Sequence, residues 1–229
     1  MKRSVSNRTF IIYFSAIAVI SLIYGITNYR AAFPEVALNI QVSRTEAIAQ
    51  AQNYLTERNF DVSEYTQTAI FTGQGLAKHF IDMELGVERL TELALDSLDL
   101  WYWKVRFFEQ LQSLEYWVRI DPAGEVIAFN RTVAEEDSGS TLSPEVAKIM
   151  VEAFLINQLN IDLEYWEYIE VNSEDRPYRR DHTFTYELIN FRVADAPYRI
   201  DLRMQGAVIS GYSKSLKVPE SWMRKFRNL

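Results

Sequence analysis

The chain of 229 residues contains no cysteine, 8 glycines, 6 prolines and 2 histidines. Without cysteine there are no disulfides, no thiolate nucleophile and no Cys-ligated zinc. An oxidising compartment is allowed but not required. The two histidines, His79 and His182, stand far apart and do not supply the three or four ligands that zinc needs. No HExxH, GxSxG, Walker or GxGxxG pattern occurs. The net charge of −7 makes nucleic acid a poor partner, since phosphate binding rests on clustered Lys and Arg.

Apolar residues are plentiful, at 48%, and charged residues make up 24%, as in an ordinary folded domain. Aromatics reach 14%, with 13 Tyr, 13 Phe and 5 Trp, which favours pleated-sheet packing.

Phe10 to Ile26, FIIYFSAIAVISLIYGI, carries neither charge nor proline. Seventeen helical residues span about 25 Å, and a bilayer core needs roughly 30 Å. Thr9 and Thr27 to Tyr29 extend the helix to that length, and Tyr13, Tyr24 and Tyr29 suit the interfaces. Lys2, Arg3 and Arg8 precede the span, whereas Arg30 alone follows it closely. The positive-inside rule then predicts a cytoplasmic N-terminus and a soluble part in the periplasm or extracellular space. A cleaved signal peptide has a shorter apolar stretch and a small-x-small site. Tyr29-Arg30-Ala31-Ala32-Phe33 is a poor match to that site, so an uncleaved anchor is expected, with the bilayer contacted through residues 10–29.

The expected organisation is a cytoplasmic tip and anchor over 1–30 and a linker over 31–42. A first α+β unit follows over 43–134, then a polar linker over 135–142 and a second α+β unit over 143–217. Residues 218–229 form a C-terminal helix or juxtamembrane segment. Ser43-Arg44-Thr45-Glu46 is a capping box, and Ser143-Pro144-Glu145 opens the second helix. Asn59-Phe60-Asp61-Val62 matches Asn160-Ile161-Asp162-Leu163 in residue type. Tyr116 with Gly124, Val126 and Ile127 matches Tyr198 with Gly206, Val208 and Ile209, each pattern reading as a hairpin. The two offsets, 101 and 82, differ by 19 residues. A helical insertion in the first copy, near 75–98, accounts for the difference. The fold class is therefore α+β: one N-terminal transmembrane helix, then two repeated units of a helix plus an antiparallel sheet.

Glu135-Glu136-Asp137-Ser138-Gly139-Ser140 reads as a solvated break rather than a cation site, because it lacks the spaced ligands of a calcium loop. On a strand, His182, Phe184 and Tyr186 share one face while Asp181 points to the other, so Asp181 and His182 do not form an acid–base pair. The charges around Pro177 are expected to pair across a turn. Trp101, Tyr102, Trp103, Tyr116 and Trp117 form an aromatic group on neighbouring strands, read either as cross-strand stacking or as a ligand groove. The candidate binding residues are Trp101, Trp103, Trp117, His182 and Tyr186. No catalytic, cofactor or metal residue is expected.

The capped helices followed by hairpins resemble tandem PepSY-like units. Trp103-Lys104-Val105-Arg106-Phe107-Phe108, Asp181-His182-Thr183-Phe184-x-Tyr186, Tyr198-Arg199-Ile200-x-Leu202 and Lys217-Val218-Pro219-Glu220-Ser221 resemble the N-terminal extracytoplasmic region of long bacterial CPBP (CAAX-type) intramembrane metalloproteases. The resemblance covers about residues 33–226. It implies a membrane protease domain beyond residue 229 and a non-catalytic binding or regulatory role for this part, with another membrane protein or that protease domain as partner. None of the family's catalytic residues falls on a position of this chain. The competing expectation is a single-pass accessory subunit that docks on and stabilises a larger membrane complex.

Overall fold

The computed structural model describes residues 7–29 and 38–228. The expected cytoplasmic tip and most of the 31–42 linker lie outside the described residues. Two compact units are present, residues 1–38 and 39–229.

The first unit holds α1, Asn7–Thr27. From Phe10 to Ile26 it carries no charged residue and has no polar face. It is long enough and apolar enough to cross a membrane, and none of that span is buried in protein. Thr27 and Asn28 donate from their side chains to the carbonyls of Ile23 and Tyr24, and the Asn28 amide also bonds Tyr24 O.

The second unit is α+β. Its helices are α2 (Arg44–Glu57), α3 (Gly75–Asp96), α4 (Pro144–Leu159) and α5 (Glu220–Phe226). Its strands are β1 (Thr66–Gly73), β2 (Trp101–Phe108), β3 (Glu115–Ile120), β4 (Val126–Thr132), β5 (Trp166–Arg176), β6 (Arg179–Val193), β7 (Ala196–Gln205) and β8 (Val208–Leu216). All eight strands form one antiparallel sheet in the order β1-β2-β3-β4-β8-β7-β6-β5. Each set of four strands runs as a meander from an edge to the centre, and β4 meets β8 there.

Helix boundaries follow local chemistry. Ser43 and Glu46 make the full capping box of α2. Ser143 caps α4, with Pro144 in its first turn. Both helices stop at an asparagine in the left-handed region, Asn59 at φ 61° and Asn160 at φ 50°. Asparagine tolerates that conformation better than other chiral residues. The next amide bonds back into each helix, Phe60 to Leu55 O and Ile161 to Leu155 O, both at 2.9 Å.

Both helices pack on the same face of the sheet. Ala47, Ala51 and Leu55 of α2 and Ala147, Val151 and Leu155 of α4 are fully buried in one core. From the sheet come Val105, Phe107, Val118, Phe129, Phe184, Ile200, Leu202 and Tyr212. Small residues at the first positions let each helix approach the strands closely. Phe129 and Tyr212 are partners across the β4–β8 seam, with rings 5.6 Å apart. At that seam Gly211 lies so close that a Cβ there would sit 2.7 Å from Phe129 O.

The helix expected near 75–98 is α3, inserted between β1 and β2, where the second meander has only the Pro177-Tyr178 turn between β5 and β6. It bends at Gly86, φ 84° and ψ 165°. Phe80 and Ile81 are buried, and Phe80 meets Trp222 of α5 edge-on at 5.3 Å.

Glu135 to Thr141 are exposed, as expected of a solvated break, and the backbone of the segment is tied to the β5–β6 hairpin. Arg179, only 3% exposed, donates to the carbonyls of Ala134 (2.8 Å) and Asp137 (2.7 Å) and holds Asp181 through two bonds. Gly139 N bonds Tyr178 O, and Arg180 N bonds Ser140 O. A buried guanidinium with five donors needs such acceptors, and a run of backbone carbonyls supplies them. The expected pairing across the Pro177 turn is present, with Arg180 on Asp175 at 2.5 Å and Arg176 near Asp181 at 3.5 Å.

Candidate functional site

Strand alternation sorts the candidate residues onto different faces. On β2, Trp103, Val105 and Phe107 point toward α2. Trp103 packs on Phe71 at 5.3 Å and donates Nε1 to Val42 O at 3.1 Å. Trp101 is buried with Lys78 over its ring. Both are held by intramolecular contacts. On β3, Tyr116 and Val118 enter the core while Trp117 and Arg119 face the other way. Trp101, Trp103 and Tyr116 thus lie on one face of the sheet, and Tyr102 and Trp117 on the other.

His182 and Tyr186 sit on β6 in the second meander, both buried and on the α4 side with Phe184, as alternation predicts. His182 Nε2 donates to Leu142 O (3.1 Å), which can only accept, so Nδ1 accepts the Ser173 hydroxyl at 2.8 Å. Tyr186 donates to Glu152 at 3.3 Å, and Glu152 also holds Lys148 at 3.0 Å. Burial, with the nearby Glu152 carboxylate, pushes the Tyr186 hydroxyl well above its ordinary pKa. These two side chains belong to a satisfied core network, and the structure does not bring them together with the tryptophans.

The face opposite α2 and α4 carries a different constellation. One row across it runs Lys104, Arg119, Ala128, Ser213, Asp201 and Thr185, each the cross-strand partner of the next. The adjacent row runs Arg106, Trp117, Asn130, Gly211, Arg203 and Thr183. Arg119 lies between two rings, 4.6 Å from the centroid of Tyr102 and 4.9 Å from that of Trp117. Lys104 approaches Trp117 from the neighbouring strand at 5.7 Å. Arg203, exposed, donates to Asn130 Oδ1 at 2.6 Å.

Among the described residues no carboxylate lies within ion-pair distance of Lys104, Arg119 or Arg203. By contrast Arg106 is held by Glu115 and Arg199 by Glu187, and Asp201 accepts from Thr185. Burial lowers the Arg119 pKa from its ordinary value, with Tyr102 opposing that effect and the Arg203 charge adding to it. The guanidinium remains charged, and its buried Nε has no hydrogen-bond partner. A stacked guanidinium with free donors, flanked by two further cations, is suited to binding a carboxylate or another planar anion.

Trp117 stands out in the sequence, but the cations around it do not. Their signal is the alternation Tyr102-x-Lys104-x-Arg106 against Trp117-x-Arg119, which places basic and aromatic side chains on one face of two paired strands. No cluster of three or more His, Asp or Glu side chains able to hold a metal occurs among the described residues. Comparison of the chain with protein-family models, with curated proteins and with solved structures finds no match.

Proposed function

We propose that this protein is a membrane-anchored, non-catalytic binding and regulatory domain on the extracytoplasmic side. In this reading it resembles the N-terminal part of CAAX-type intramembrane metalloproteases, and its sheet face takes a carboxylate-bearing segment of a neighbouring membrane protein or protease domain. The observation that carries the reading is the Tyr102–Arg119–Trp117 stack on a sheet face where Lys104, Arg119 and Arg203 have no carboxylate partner among the described residues, on a chain of net charge −7. Such local reversal of charge fits recognition of an acidic group better than it fits stability, since unpaired cations in proximity repel.

We also infer that the two halves of the sheet descend from one duplicated PepSY-like unit. Ser43 and Ser143, Ala47 and Ala147, and Leu55 and Leu155 hold equivalent places in their helices, and both helices end on a left-handed Asn. The meander order, mirrored about the β4–β8 seam, supports the same reading.

The test uses the full chain in nanodiscs, titrated with a hexaglutamate peptide and followed by tryptophan fluorescence. Binding is expected to weaken roughly tenfold in Arg119→Ala, the loss of one charge-assisted contact, and to weaken further with added salt. Absence of binding, or unweakened binding by both Arg119→Ala and Arg203→Ala, overturns the proposal.

A further inference from the structure

The sheet ends in two edge strands, β1 and β5. An edge strand turns every second amide and carbonyl outward, and only another extended chain satisfies such a row. Folded proteins blunt these edges with charge, proline, bulges or short strands. β5 is blunted. It carries Glu167, Glu170, Glu174, Asp175 and Arg176, and its pairing with β6 shifts at a bulge between Tyr168 and Glu170.

β1 has none of these devices. Its eight residues, TQTAIFTG, include neither charge nor proline, and all eight pair with β2 without a break. The uncharged stretch runs from Tyr65 to Ala77. Among the described residues, nothing outside β2 hydrogen-bonds the backbone of Thr66–Gly73. Ile70, on the face opposite α2, is 57% exposed. Cations lie beside this edge. Ile70 is the cross-strand partner of Lys104, and a Cβ at Gly73 would lie 3.0 Å from Lys78 Nζ. Among the described residues neither lysine has a carboxylate within ion-pair distance. The two edges therefore differ in access and in sign: β5 is acidic and interrupted, whereas β1 is flat, uncharged and backed by lysines.

We propose that an extended, acidic segment of a partner protein adds to β1 as a ninth strand. The acidity of that segment rests on the function proposed above; the open edge is an independent observation. Neighbouring strands lie about 4.8 Å apart, so an added strand runs about 10 Å from β2. Its alternate side chains then project beside Ile70, on the face that holds Lys104 and Arg119. A glutamate there meets Lys104 across Ile70 once the lysine turns from Trp117, since both side chains are long and flexible. Backbone bonds supply the affinity and the cations select the partner.

The test uses the full chain in nanodiscs and a capped, fluorescent octapeptide of alternating threonine and glutamate. Binding is followed by anisotropy and by hydrogen exchange. At saturation about half of the Thr66–Gly73 amides, those facing outward, should exchange more slowly, with Trp166–Arg176 unchanged. The fully N-methylated peptide keeps its charges but donates no backbone bond, and it should bind about tenfold more weakly. Ile70→Glu, at an exposed site and with its fold checked by thermal unfolding, should weaken the parent peptide about tenfold by like-charge repulsion. Binding that Arg119→Ala weakens but that leaves β1 exchange unchanged overturns the ninth strand and leaves the cationic face standing. Protection of β1 with binding indifferent to Arg119→Ala supports the ninth strand and removes the cationic-face proposal. Absence of binding, protection of β5 instead, equal binding of the N-methylated peptide or indifference to Ile70→Glu overturns the ninth strand.

Discussion

Arg179→Ala removes a buried cation from the junction between the 133–142 segment and the β5–β6 hairpin. Two bonds to Asp181, at 2.8 and 3.2 Å, disappear with it, as do the donors to Ala134 O and Asp137 O. Asp181 is itself largely buried, with 15% of its side chain exposed. It would keep Arg176 at 3.5 Å and the Gly206 amide at 3.3 Å, which compensates part of the lost charge. Removing one partner of a buried pair costs about 3–5 kcal/mol, and the remaining contacts place this site near the lower end. Total stability of a domain is about 5–15 kcal/mol, so the variant folds but with a sharply reduced margin. Arg179→Lys restores the charge but not the fork that reaches Asp181 and two carbonyls together, and it should recover less than half of the loss. Denaturant unfolding of the full chain in mild detergent, monitored by tryptophan fluorescence, measures the global effect. Hydrogen exchange adds the local one: the amides of Gly139 and Arg180, which bond Tyr178 O and Ser140 O, should lose protection first. A loss below about 1 kcal/mol with unchanged exchange at those amides would refute the reasoning.

Gly211→Ala tests the seam between the two meanders. Its Cβ would meet Phe129 O at 2.7 Å and Asn130 Cα at 3.1 Å, both backbone atoms, so a loss of about 1–3 kcal/mol is expected in the same unfolding assay. Alkaline pH should unfold the domain. Burial raises the hydroxyl pKa of Tyr54, Tyr186, Tyr198 and Tyr212 above 10, that of Tyr212 up to about 12. The folded state therefore holds protons that the unfolded chain releases. Stability is full below pH 10 and falls as pH rises from 10 toward 12, by up to about 1.4 kcal/mol per unit per tyrosine. Ultraviolet titration should show these four ionising only with unfolding. Asn160→Val forces a β-branched residue into the left-handed region at φ 50° and should cost about 1–2 kcal/mol, whereas Asn160→Gly should be close to neutral.

Local signals carry much of the fold. Ser43 and Ser143 announce helix starts because a hydroxyl satisfies an otherwise unpaired amide, and Asn59 and Asn160 announce the ends because few residues accept positive φ. The helical spacing of Val87, Leu90 and Leu93 marks the insertion, α3. Contacts between distant segments are not legible. Nothing local states that β4 and β8 pair, so the joining of two meanders into one sheet is visible only in the structure. Sequence proximity groups the aromatics, but alternation divides them: Trp103 goes to the core and Trp117 to the other face with Arg119. The acidic run from Glu135 suggests solvation by its side chains. What fixes it is its backbone, through Arg179 some forty residues later. Alternation places His182 on the α4 side, but its partners, Ser173 on the neighbouring strand and Leu142 O forty residues earlier, are again set by distant contacts.

The central claim is that α1 tethers the domain on the outer side of a membrane. Because the chain lacks cysteine, single cysteines placed at Ser4 and at Ser63 report directly on sidedness. Intact cells stripped of any outer membrane are treated with an impermeant maleimide. Labelling of Ser63→Cys is predicted in intact cells and of Ser4→Cys only after lysis, with the protein retained in the membrane fraction at alkaline carbonate extraction. Labelling of Ser63→Cys only after lysis, or release of the protein by carbonate, would contradict the claim.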